Sequence, residues 1–162
     1  MYNRKETPVR RLIGITLLAL FAVAVTVSGQ YPATTNSLVG AWKVTEIVNA
    51  NRAPITQPQP GLYIFSGRHY SFVRINGEKP LPDYPSNDKA TDADKVTVFN
   101  ALFLQSGTYT VTANMLTTTA IVAKSAFGMK GTANQYEFAV NGNTLVLTQK
   151  PSGAVTKLTR VE

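Results

Sequence analysis

Few side chains in this sequence can do chemistry. Cysteine is absent and His69 is the single histidine, which excludes disulfides, thiol nucleophiles, cysteine-held clusters and multi-histidine metal sites. Histidine is the side-chain type suited to proton exchange near neutral pH, so His69 is a candidate general base or polar ligand contact. It also sits beside a turn signal, where a histidine simply hydrogen-bonds backbone. Glu46 and Arg74 fall within apolar runs and are expected on inward faces. A buried charge pair there either receives a polar ligand group or satisfies itself. Asp88, Asp92 and Asp94 resemble part of a calcium loop but lack its central glycine and terminal acidic ligand. Capping and dipole complementarity at a helix start account for them. Ser71 and Ser106 lack the Gly-x-Ser-x-Gly setting of a hydrolase nucleophile. The scattered acids offer no facing pair for glycoside hydrolysis. No motif calls for a cofactor or a metal.

The elements that must position these residues are short runs rich in Val, Thr, Tyr and Phe, separated by Gly, Asn and Pro. That is the pattern of strands joined by turns. The runs are 38–49, 61–66, 69–75, 107–113, 115–123, 132–140, 143–150 and 154–161, and three prolines from Pro54 to Pro60 break the chain after the first. Asn141-Gly142 is a two-residue hairpin signal of type I′. One helix interrupts the series: Thr91 and Asp94 have capping-box spacing, and Val96, Phe99, Ala101, Leu102 and Phe103 make a helical stripe from Asp92 to about Leu104. Eight runs with mostly short connections predict an all-β, mainly antiparallel barrel or sandwich, with one short helix inserted near the middle.

Alternation assigns faces. Trp42, Val44, Glu46 and Val48 share one face of the first strand. A three-residue loop over Ser66-Gly67-Arg68 pairs Ile64 with Tyr70 and Leu62 with Phe72, making an apolar face that ends in Arg74. A two-residue loop would swap those faces. With Tyr109 and Phe138, the inward candidates for ligand binding are Glu46, Leu62, Ile64, Tyr70, Phe72, Arg74, Tyr109 and Phe138. His69 is a further polar contact. Eight strands enclose room for side chains or for one small ligand, so a pocket and a filled core both fit this aromatic content.

The amino-terminal stretch is a separate object. Arg4, Lys5, Arg10 and Arg11 precede a sixteen-residue run, Leu12 to Val27, broken only by Gly14, Thr16 and Thr26. Val27-Ser28-Gly29 then supplies small residues for a signal peptidase. Residues 1–29 read as a signal peptide, 30–37 as a flexible leader and 38–162 as the domain. An uncleaved anchor is the rival, since the run falls just short of the roughly 17–25 residues that span a bilayer; contact with a membrane is expected only in that case. The chain carries a formal charge of +7. Without residues 1–29, which hold four basic residues and one acid, the remainder has twelve basic and eight acidic residues, a net of +4. Those twelve are dispersed, whereas nucleic-acid recognition needs clustered charge; no nucleic-acid partner is expected.

Gly40-Ala41-Trp42 opens the first strand and Arg160 lies on the last. Between them come, in order, Pro60-Gly61-Leu62-Tyr63-Ile64-Phe65, His69-Tyr70-Ser71, Ser106-Gly107-Thr108-Tyr109 and Leu116-Thr117-Thr118-Thr119, and Leu158-Thr159-Arg160-Val161-Glu162 ends the chain. On these segments residues 38–162 resemble the lipocalin-like (calycin) group, especially its bacterial secreted members of unknown function. The Thr-Asp-Tyr motif of lipocalins is absent. The resemblance implies an eight-stranded barrel in an extracytoplasmic setting, closed at one end by Arg160 packed over Trp42, and it supplies no catalytic residues. Three functions are then open. The barrel binds a small hydrophobic or amphipathic molecule; it is an isomerase- or hydrolase-like enzyme using His69; or it is a filled structural barrel acting through its surface. N-terminal sequencing of exported material should begin at Gln30, and an intact Met1 on membrane-bound protein would contradict cleavage.

Overall fold

The alternating pattern resolves into eight strands: β1 (Gly40–Val48), β2 (Gly61–Ser66), β3 (His69–Ile75), β4 (Leu102–Thr112), β5 (Met115–Ala123), β6 (Asn134–Asn141), β7 (Thr144–Lys150) and β8 (Val155–Arg160). The protein was analysed as a computed structural model, which describes residues 36–161 apart from 132. The signal-peptide segment 1–29, and the leader up to residue 35, lie outside the described residues. Each strand pairs antiparallel with the next, and β1 also pairs with β8, so the sheet closes into a barrel with no free edge.

The up-and-down order puts alternate connections at opposite ends. At one end β2–β3, β4–β5 and β6–β7 are joined by two-residue turns, and β1 starts and β8 finishes there. The other end carries longer connections, including helix α1 (Asp92–Ala101) before β4 and a 3₁₀ turn at Ala126–Met129 before β6. The Thr91 side chain and Asp94 form the reciprocal cap that starts α1. The helix is shorter than its apolar stripe implies. It stops at Ala101 because Leu102, Phe103 and Leu104 pair with Ile75, Arg74 and Val73 of β3, which extends β4 by five residues from the expected start at Gly107. Val96 and Phe99 consequently remain exposed.

Three local features correct the faces expected from alternation. The β2–β3 turn has two residues, so Ser66 pairs with His69, Phe65 with Tyr70 and Tyr63 with Phe72. A one-residue change of register moves every side chain to the opposite face. Tyr63 and Phe65 therefore join Tyr70 and Phe72 inside, while Leu62 and Ile64 lie outside, 41% and 42% exposed. On β1 the register to β8 shifts between Val44 and Glu46, leaving Thr45 as an extra residue. Such a bulge resets the alternation: Trp42, Val44 and Ile47 are buried, and Glu46 points outward to an ion pair with Lys157 at 2.8 Å. The third correction is small. The β6–β7 turn is centred on Gly142-Asn143, because Asn141 already pairs with Thr144; the left-handed backbone falls on Gly142 (φ 54°) and not on Asn141 as a type I′ turn there would need.

The tight-turn end is filled. Leu38, Trp42, Leu116, Leu145 and Leu158 have no exposed surface. Trp42 donates its indole N–H to the Leu38 carbonyl at 2.8 Å. The Arg160 guanidinium lies 4.0 Å from the Trp42 ring centroid and also donates to the carbonyls of Val39 and Ser37. This lid joins the first and last strands and covers the core. Trp42→Ala should cost about 3–5 kcal/mol of stability as a core truncation, and a double-mutant cycle with Arg160→Ala should show a coupling of about 0.5–2 kcal/mol. A coupling near zero in chemical denaturation would mean the stacking is not a stabilising contact.

Candidate functional site

Above the filled half, toward the longer connections, the barrel is hollow. A cavity of about 270 Å³ is lined by Ile47, Tyr63, Arg74, Phe103, Gln105, Asn134, Tyr136, Leu147, Gln149 and Thr156, with Asn49, Phe127, Gly128 and Ala154 at its rim. The strand pattern explains this lining. On β4, Phe103 and Gln105 point inward; on β6, Asn134 and Tyr136; on β7, Leu147 and Gln149; all are two residues apart, as one sheet face requires. On β3, β6 and β7 the inward residue nearest the open end is polar (Arg74, Asn134 and Gln149), whereas on β4 Phe103 lies nearer the mouth than Gln105. Phe127 stands 85% exposed on the 3₁₀ turn while bordering the opening.

Phe72 forms the base of the site. Its ring stacks on Tyr63 at 4.1 Å and meets Tyr136 edge-on at 6.3 Å. It also contacts Tyr70 at 4.6 Å and Phe65 at 5.4 Å. Packing on several sides locks the two cavity tyrosines in place. Burial raises the pKa of Tyr63, while the Arg74 guanidinium beside it pulls the other way. Tyr136 is raised as well, first by burial and then by the neighbouring phenols of Tyr63 and Tyr70, against the pull of Arg74. Both hydroxyls are therefore firmly protonated donors at neutral pH. Tyr70 is raised chiefly by burial, opposed by the hydroxyl of Thr118. Its own hydroxyl is buried without a hydrogen bond of good geometry.

Arg74 is the one charged residue of the lining. Its Nε donates to Asn76 Oδ1 at 3.0 Å and one Nη to Thr156 Oγ1 at 3.4 Å. The guanidinium carbon stands 4.9 Å from the Phe103 ring centroid. Asn134 donates its side-chain amide to Gln105 Oε1 at 3.5 Å, linking β6 to β4 across the wall.

Of the ligand-binding candidates read from the sequence, Arg74 alone reaches this wall. Tyr70 and Phe72 are buried beneath it. Tyr109 lies in the filled half, edge-on to Phe65 at 5.3 Å, its hydroxyl taking a hydrogen bond from Asn36. Phe138 is partly buried against the same core. Glu46, Leu62 and Ile64 are outside, for the register reasons above. His69 is exposed on the outer face beside the β2–β3 turn and opposite Thr108, too far round the barrel wall to serve the interior as a base. The cavity residues that the sequence reading missed, above all Tyr63, Gln105, Asn134, Tyr136 and Gln149, carry one usable signal: polar or amphipathic residues at inward positions close to strand ends. Leu62 and Val73 instead floor a shallow apolar groove on the outer surface, beside Lys43 and Val161. Among the described residues no three His, Asp or Glu side chains converge to hold a metal.

The fold is a lipocalin-like barrel: closed, eight-stranded and antiparallel, plugged at one end and open to a small internal cavity at the other. Among solved structures the chain is similar to a lipocalin-like protein from Bacteroides uniformis, with 13% identity over 76% of this chain and 98% of that one and a TM-score of 0.49. It is also similar to an uncharacterized protein from Bacteroides eggerthii, with 10% identity over the same shares and a TM-score of 0.46. No protein-family profile matches the chain, and no curated protein does.

The buried tyrosines tie stability to alkaline pH. Their folded pKa values are raised, so above about pH 10 the unfolded chain releases phenolic protons that the folded barrel retains. The unfolded state then binds fewer protons, and stability falls as pH rises, by up to about 1.4 kcal/mol per tyrosine for each unit. Urea midpoints should drop between pH 9 and 11, and Tyr136→Phe should shrink that drop; an unchanged drop in the variant would exclude Tyr136 as a source.

Proposed function

We propose that this is an exported binding protein whose barrel holds one small amphipathic molecule in the cavity at its open end. The observation that carries the reading is the division of the interior. One half is packed solid around Trp42, and the other keeps a cavity of about 270 Å³ walled by fixed aromatic rings and convergent polar groups. Ligand sites have that composition: an apolar surface for affinity and a few polar groups for orientation. The volume is just below the roughly 300–1,000 Å³ of drug-sized pockets, so the ligand is compact, of the order of a substituted bicyclic ring and not a long acyl chain. Export rests on the basic, apolar and small-residue pattern of residues 1–29.

Chemistry on the bound molecule is disfavoured by the lining, which holds neither a carboxylate nor a histidine. Its tyrosines keep their protons and its guanidinium does not release one. The residues that are present hold and orient; nothing among them exchanges a proton near neutral pH.

Calorimetric titration of the domain with 1-naphthol and with naphthalene-1-carboxylate should give saturable binding at one site per chain. Gln149→Trp, which places a large ring in the cavity from a half-exposed position, should weaken both at least tenfold while circular dichroism stays that of the parent. Absence of binding by either compound, or equal binding by a folded Gln149→Trp protein, would refute an interior site.

A further inference from the structure

We infer that the cavity selects for a singly charged anion, a small carboxylate seated against Arg74, with the rest of the ligand lying between the rings of Tyr136 and Phe103. This rests on the reading of the cavity as a ligand site and adds the chemical class of the ligand.

The inference comes from how charge is distributed over the molecule. The acidic side chains of the described residues are all outside the cavity lining. Glu46 pairs with Lys157, Glu137 with Lys150, Asp88 with Lys89 and Asp92 with Lys95. Asp94 caps α1, and Glu78 and Asp83 are exposed in the β3–α1 connection. None of them pairs with Arg74. It is half-buried, it faces the interior, and its partners are neutral: an amide oxygen, a hydroxyl and an aromatic ring. A cation partly withdrawn from water against neutral groups attracts an anion more than a fully solvated one does, because the local dielectric is lower. The guanidinium's planar fork of N–H donors matches a carboxylate in particular.

The surroundings fit the same ligand. Tyr63 and Tyr136 line the cavity together with Arg74, and their raised pKa values keep them protonated; phenols of this kind donate to an acceptor-rich group. The backbone also keeps this corner clear. Gly61 is the residue paired with Arg74 across the β2–β3 ladder, and a Cβ there would come within 2.8 Å of both Arg74 Cβ and Val44 Cγ2. Any larger residue at 61 would push the arginine stem aside. With one formal positive charge and no carboxylate in the lining, a monoanion leaves the filled site neutral. A phosphate dianion would leave an excess negative charge.

A charge series on one ring system tests this: naphthalene-1-carboxylate, the neutral naphthalene-1-carboxamide, 1-naphthylmethylammonium and 1-naphthyl phosphate, titrated calorimetrically into the domain at pH 7.5. The carboxylate should bind at least tenfold tighter than the amide and tighter than the phosphate, and the ammonium should show no heat. Arg74→Met should lower carboxylate affinity to that of the amide and leave amide affinity within twofold. Arg74→Lys should restore part of the difference. Equal binding of carboxylate and amide by the parent protein overturns the inference on its own, whatever the variants do, and leaves interior binding intact. Tighter binding of the phosphate overturns the monoanion assignment, and a preference that survives in Arg74→Met removes Arg74 as its source. If no member of the series binds, the reading of the cavity as a ligand site falls together with this one.

Discussion

The packing of Phe72 holds the interior together. Its ring touches Tyr63, Phe65, Tyr70 and Tyr136, which come from three different strands. An eight-stranded barrel has an interior only about wide enough for its own side chains, so one such cluster at mid-height divides the space. Toward the tight turns, Trp42 and a set of leucines fill the cross-section completely. Toward the longer connections the inward positions carry amides, a threonine and an arginine, which do not pack to the density of a leucine core. A cavity remains there because its walls are held by the cluster below and by the closed hydrogen-bond ladder around them. Side chains in such a close-packed base cannot collapse into the void without leaving their rotamers.

The same geometry separates the charges. Every strand shows one face to water, and the outward residues Glu46 and Lys157, or Glu137 and Lys150, meet as exposed or half-exposed ion pairs across neighbouring strands. Pairs of this kind contribute little to stability, about 0–1 kcal/mol each. Arg74 sits on the other face of the sheet. Its stem packs by Gly61 and its head meets the Phe103 ring, so it is held without a carboxylate partner among the described residues. A single cation in the cavity lining, with no carboxylate beside it there, gives the cavity its chemical character, and its inward placement follows from pleat geometry.

Much of the architecture could be read along the chain. The alternation of Val, Thr, Tyr and Phe, the Gly- and Asn-containing turns, the Thr91–Asp94 cap and the positions of Trp42 and Arg160 are local patterns, and each of them corresponds to a local feature of the fold. The site was much less legible. A three-residue turn between β2 and β3 puts Leu62 and Ile64 inward and a two-residue turn puts them outward, and the residues Ser66-Gly67-Arg68 suit either. Glu46 was assigned inward because a bulge at Thr45 cannot be seen in an otherwise regular alternation. Leu102 to Leu104 read as the end of a helix because an apolar triplet suits a helix and a buried strand equally. In each case one residue of register reverses the orientation of a whole segment. The sequence pattern alone does not carry the information that decides it.

The number of strands, their antiparallel class and the single helix with its cap are legible along the chain, because they depend on propensity and on hydrogen bonds within a few residues; the boundary between α1 and β4 is not. The sequence also bounds the chemistry, through the absence of cysteine and the single histidine. Long-range pairing sets the rest: that Arg74, Tyr63 and Tyr136 line one cavity, that His69 faces outward, and that about 270 Å³ of the interior stays unfilled. Those facts depend on pairings between strands far apart in the chain and on the closure of β1 against β8. Side-chain volume can be matched to the available space only once the barrel has closed.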